Sequence, residues 1–157
     1  GGVNFVTTIF RMRAPGMTWF RMPAFVWAVL AAQLIQLYAL PSLTGGAIML
    51  LMDLSVGTSF FAPERGGNPI LYQHFFWFYS HPAVYVMVLP VFGAFSEVLP
   101  VHARKPLFGY RVVASSSIAI TVISGFVWVH HMFASATPGW MRMFFMVTTM
   151  LVAIPSG

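Results

Sequence analysis

Hydrophobic positions along the chain fall into long runs divided by short polar breaks. That pattern predicts membrane-crossing helices rather than amphipathic elements with one wet face. The first run covers 23–52 and is interrupted only by Gln33, Gln36 and the Pro41-Ser42 pair. A helix needs roughly 20 residues to cross a bilayer. The run exceeds that, and it predicts one long helix bent near Pro41, where the missing N–H breaks the hydrogen-bond ladder. Residues 53–69 gather Gly, Pro, Asp and Glu and read as a loop. A second span is expected over 70–99, opening on Tyr72, Phe75, Phe76, Trp77, Phe78 and Tyr79. A third is expected over 107–134 and a fourth over 139–157. The fold class is therefore expected to be all-α, a polytopic transmembrane helical bundle of about four spans. The residues before Arg11 read as the tail of an earlier span, and both ends read as cut from a longer chain.

Composition points the same way. Only 7% of residues are charged and 59% are hydrophobic, whereas a soluble domain carries about 25% charged residues. The formal net charge of +5 does not imply nucleic acid, because the positives stand singly or in pairs between apolar runs. They do set an orientation. Arg11, Arg13, Arg21, Arg104, Lys105 and Arg111 belong to connections on one side, and Arg65 and Arg142 to connections on the other. The positive-inside rule places the richer side in the cytoplasm. With no cysteine in the chain, thiolate metal sites and iron–sulfur clusters are excluded, and any metal must be held by His, Asp or Glu.

Polar residues inside membrane spans are expensive and therefore informative. His81 stands in the second span, and the adjacent pair His130-His131 stands near the end of the third, in the apolar stretch FVWVHHMF. A lone buried histidine usually hydrogen-bonds a neighbouring helix. Three of them with no carboxylate or thiolate also suit copper or zinc, since neutral imidazole is the commonest metal ligand. Counting from the helix ends, His81 lies roughly 15 Å deep and the pair roughly 5 Å deep, a gap that tilt can absorb. Tyr85 follows His81 by four residues, which puts phenol and imidazole on one helix face. The phenol reads either as a chemical group or as ordinary buried packing. His74 and His102 lie at span ends and read as interfacial, and Asp53, Glu64 and Arg65 as solvated loop charges. Glu97 reads as a carboxylate snorkelling to the interface, or as the mouth of a channel.

The stretches NFVTTIFRMRAPGMT, LYQHFFWFYSHPAVY, FVWVHHMF and TTMLVAIPSG resemble the heme–copper oxidase catalytic subunit, in order and over essentially the whole chain. The HPxVY and HHM motifs are highly specific. The resemblance implies a bundle of about twelve helices, of which these would be the fifth to eighth. It implies that His81, His130 and His131 ligate a copper ion facing a high-spin heme. Tyr85 would be joined covalently to His81 and would supply an electron and a proton when O2 is split. Trp77 would lie against the same site. The axial ligands of the high-spin and low-spin hemes would fall before Gly1 and after Gly157.

One departure from the family pattern matters. The third position of HPxVY is commonly Glu, the end of a proton route, and here it is Ala83. The preceding Tyr79-Ser80 resembles a subgroup in which this pair takes over proton transfer. Ser96 and Ser156 match positions of a second route to the tyrosine. The implied function is a terminal respiratory oxidase in the bacterial plasma membrane. It would reduce O2 to water with electrons from cytochrome c and pump protons, alongside other subunits that include a dicopper subunit where electrons enter. A quinol oxidase shares these motifs. A metal-free proton-coupled transporter is the reading from another class. Nitric oxide reductase lacks the tyrosine in this motif.

Overall fold

The computed structural model describes all 157 residues. Every regular element is helical. Helix α1 (Gly2–Arg11) is followed by α2 (Ala24–Ser55), α3 (Pro69–Ala103), α4 (Tyr110–Ser124), α5 (Gly139–Leu151) and α6 (Ala153–Ser156). Short 3-10 segments stand at Trp19–Arg21, Pro63–Arg65 and Trp128–Met132. Helices α2 and α3 and the 18-residue stretch Gly139–Ser156 are long and apolar enough to cross a membrane. The 35 residues of α3 would extend about 52 Å, well beyond a hydrocarbon core of about 30 Å.

The central pair is α2 with α3. Along α2 the buried residues Ala24, Ala28, Ala31, Ala32, Ile35 and Ala39 recur at helical spacing, giving a small-residue stripe that lets a second backbone approach. Glycines complete the approach at both ends of the pair. A Cβ on Gly93 would lie 2.7 Å from Ala28 Cβ and 2.8 Å from the Phe25 Cα, and one on Gly46 would lie 2.9 Å from Phe75 Cβ. Leu89 from α3 and Ile120 from α4 join Ala28, Ala31, Ala32 and Ile35 in the largest buried cluster.

Caps and loops fix how these helices enter and leave. Asn68 accepts from the Ile70 N–H at 2.9 Å and Pro69 takes the first helical position, so α3 starts where its sequence signals a start. Asp53, expected as a solvated loop charge, lies on the last turn of α2. Its carboxylate accepts from the Thr58 hydroxyl (2.6 Å) and from the N–H groups of Phe60 and Phe61 (2.8 and 2.9 Å), pinning the connection that leads into α3. Glu97 is exposed and accepts from the Phe25 N–H at 3.4 Å, at the amino end of α2, which has no side-chain cap of its own. A carboxylate is favourable there because it faces the positive end of the helix dipole.

The expected third span, 107–134, is corrected. Helix α4 ends at Ser124, and both His130 and His131 lie on the 3-10 turn Trp128–Met132. The reason lies at the Thr121 carbonyl, which stands 3.0 Å from both the Tyr38 hydroxyl and Ser124 Oγ. An uninterrupted helix would use that carbonyl to accept from the Gly125 N–H. That N–H reaches only the Val122 carbonyl, at 3.4 Å. A glycine at 125 adds its own backbone cost, and the helix stops.

Candidate metal centre

Helix α3 presents one stripe to the turn Trp128–Met132: His74, Trp77, Phe78, His81 and Tyr85, at spacings of three and four residues. The turn, followed by α5, supplies the other half. His81 Nδ1 lies 3.0 Å from His131 Nε2, and His130 Nε2 lies 3.0 Å from the same atom. One ring nitrogen from each of the three histidines falls within 4.8 Å of the others. His81 is buried and His130 half-buried, while His131 is exposed, so the cluster is open on one side. The roughly 10 Å difference in depth counted from continuous helices does not keep the three imidazoles apart.

The hydrogen-bond partners assign one tautomer. Thr149 Oγ1 donates to the Phe145 carbonyl at 2.6 Å, which uses its only proton. It therefore accepts from His130 Nδ1, 2.8 Å away, so the proton of His130 sits on Nδ1 and the Nε2 lone pair faces the cluster. Such a partner on the far nitrogen is what orients a metal-bound imidazole. Thr148 donates to the Phe126 carbonyl at 2.6 Å, so the two adjacent threonines of α5 hold the chain just before the turn and at its centre. Sequence reasoning passed over Thr149. The signal was available only as a hydroxyl pair in an apolar run.

Trp77 stacks flat on the His131 ring, with centroids 3.9 Å apart and an interplanar angle of 5°. His81 and Tyr85 rings are 4.8 Å apart at 60°. His81 Nε2 is the one buried side-chain nitrogen or oxygen without a hydrogen-bond partner. His74 is not simply interfacial: its Nδ1 accepts from the Trp128 indole N–H at 3.2 Å. His102 is exposed and reaches only the Val98 carbonyl, at 2.9 Å.

The donor set fits a copper-type ion. Hydrogen bonding alone would need one proton on His131 Nε2 shared between two acceptors, because His130 Nε2 carries a lone pair. A cation accepts all three lone pairs at once. Imidazole nitrogens about 2.0 Å from a common ion stand roughly 3–3.5 Å apart, close to the separations of 3.0 Å found at His131. Three neutral nitrogens with no carboxylate suit copper or zinc.

The serines expected on a second route meet in one place. Ser96 and Ser156 both line a cavity of about 520 Å³ between α3, α4 and α6, with Ser116 and Ser117. Leu89, one turn beyond Tyr85, is also in its lining. Tyr79 and Ser80 are half-buried on α3 just before His81.

An apolar helical bundle with three imidazoles converging at one open face defines a membrane protein with a candidate metal site. The whole chain, residues 1–157, matches the family model for cytochrome c and quinol oxidase polypeptide I. The chain belongs to that family. Relatives named cytochrome c oxidase subunit 1 are 58% identical over 157 residues in Thermostichus vulcanus and 59% identical over 157 residues in a Synechocystis strain. One from Bacillus subtilis is 47% identical over 156 residues. In each case 99–100% of this chain is covered, and it spans 25–28% of the relative's length.

Proposed function

We propose that the chain is the copper-binding part of the catalytic subunit of a cytochrome c oxidase, a respiratory oxidoreductase that reduces O2 to water and translocates protons. The convergence of His81 Nδ1, His130 Nε2 and His131 Nε2 carries this reading. His81, His130 and His131 would hold the copper, which beside a high-spin heme of the subunit would supply the electron-transfer chemistry that O2 reduction requires. The rest of the subunit provides the heme ligands for the high-spin and low-spin hemes. A dicopper partner subunit passes electrons in from cytochrome c. The relatives from Thermostichus vulcanus, a Synechocystis strain and Bacillus subtilis support a bacterial plasma membrane.

Each side chain has a defined task in this reading. Thr149 holds His130 in the tautomer that ligates. Trp77 fixes the plane of His131 by stacking. With Nδ1 turned to the metal, the unpartnered Nε2 of His81 is the atom that joins the Tyr85 ring. Joining the rings exchanges the imidazole N–H and one phenol-ring C–H for an N–C bond, a two-electron oxidation for which O2, the proposed substrate, is the oxidant, and it removes a buried unsatisfied donor worth about 1–3 kcal/mol. Tyr85 then delivers its phenolic proton, with an electron, to the oxygen being reduced. Tyr79 and Ser80 carry protons past the position where Ala83 replaces the usual carboxyl. Ser96 and Ser156 line the second route, through the cavity below Tyr85.

The deciding experiment is metal analysis of the full-length enzyme carrying His130→Ala. Copper should fall to background while heme content largely survives, because no heme ligand lies in this chain. Full copper retention with normal O2 consumption would remove the assignment.

A further inference from the structure

The turn that carries His130 and His131 spans only five residues, Trp128–Met132. A 3-10 segment of that length has poor internal hydrogen-bond geometry and cannot set ligand positions alone. Something outside it must. His130 is restrained by Thr149 and His131 by Trp77. The amino end of the turn is Trp128, and its indole N–H donates to His74 Nδ1 at 3.2 Å. Indole is only a donor, so His74 Nδ1 is unprotonated and the imidazole proton sits on Nε2. The Trp128 ring also meets Phe78 edge-on at 4.9 Å and Phe145 at 4.6 Å.

We infer that the Trp128–His74 hydrogen bond is a positioning contact for the copper ligands, locking the amino end of their turn onto α3. His74 lies seven residues before His81 on the same helix face. The bond therefore fixes the distance between the two halves of the ligand set: His81 on α3, His130 and His131 on the turn. Ring packing of Trp128 sets its depth, and the N–H sets its rotation, which decides where the following imidazoles point. Neither His74 nor Trp128 is a ligand. They act through His130 and His131, as outer partners that tune metal affinity commonly do. The inference rests on the copper reading proposed above.

The test uses full-length oxidase variants titrated with a copper chelator, with heme content and thermal midpoint recorded alongside. Trp128→Phe keeps the ring and removes the donor. His74→Leu removes the acceptor. His74→Asn restores an acceptor, because Asn Oδ1 occupies the place of Nδ1. Trp128→Phe and His74→Leu should each weaken copper retention about 10–100-fold, the usual effect of losing an outer partner. His74→Asn should stay near wild type. The double variant should lose no more than either single, since both remove the same bond. The Trp128 contribution to the ultraviolet resonance Raman signature of bonded indole N–H, isolated as wild type minus Trp128→Phe, should be present in wild type and absent in His74→Leu, while that of Trp27 persists. Wild-type copper retention in Trp128→Phe and His74→Leu would overturn the inference. So would an Asn variant as poor as the Leu variant, or losses that multiply. A wild-type enzyme that holds no copper at all would instead remove the copper reading, and this inference with it.

Discussion

Thr149 commits its single hydroxyl proton to the Phe145 carbonyl, and that leaves His130 no choice of tautomer. The residue scale is governed by such small counts of donors and acceptors. His81 illustrates the opposite case, a ring with one nitrogen in the cluster and one buried without a partner. Tyr85 beside it gives a direct prediction. Tyr85→Phe removes one hydroxyl and leaves the packing against Leu89 and its neighbours intact. If the phenol is redox-active, turnover should collapse while copper, both hemes and the thermal midpoint stay near wild type. A packing role would give the reverse: a stability cost of about 1–3 kcal/mol with near-normal O2 consumption. The histidines were legible in the sequence because imidazoles are rare and costly inside apolar runs. Thr149 was not. A threonine in a helix satisfies itself by back-bonding to the preceding turn, so nothing local marks it as a partner for another element. His74 was hidden for a similar reason, since its partner Trp128 is 54 residues away.

At the scale of elements, periodicity located the long apolar helices and missed where α4 stops. Hydropathy continues unbroken through 107–134, and the signal that ends the helix comes from the Tyr38 hydroxyl on α2. The third run by itself offers only Ser124 and Gly125 as markers of that end. The α2–α3 contact is the other element-scale feature, and it tests the packing account. Gly93→Val would drive a Cβ to within 3 Å of both Ala28 Cβ and the Phe25 Cα. Backbone cannot yield as a side-chain tip can, so the pair must separate. The expected cost is about 1–3 kcal/mol, as for other overpacked interiors. It should appear as a lowered thermal midpoint of the purified enzyme. An unchanged midpoint would mean that the helices do not approach this closely.

Across the whole molecule, charge sets the direction and the site sets the dependence between parts. Both Lys105 and Arg104, at the end of α3, and Arg111, at the start of α4, lie on the side predicted to be cytoplasmic. Cysteines introduced at Ala103 and Ser59 should therefore label from opposite sides of the membrane, Ala103 from the cytoplasm. Labelling of Ala103 from outside would reverse the topology.

The histidine cluster draws one imidazole from α3 and two from a turn that α5 holds in place. That has a consequence for how the protein is made. Chains emerge from the ribosome at about 5–20 residues per second. Thr149 follows His81 by about 70 residues, so His81 waits about 3–14 s in the membrane before its companions and their support exist. Over that interval His81 has no turn to face, and a copper ion delivered to the nascent chain would meet one imidazole instead of three. If the cluster holds copper as proposed, loading follows insertion of α5, and metal content becomes a record of whether the second half of this segment was assembled correctly.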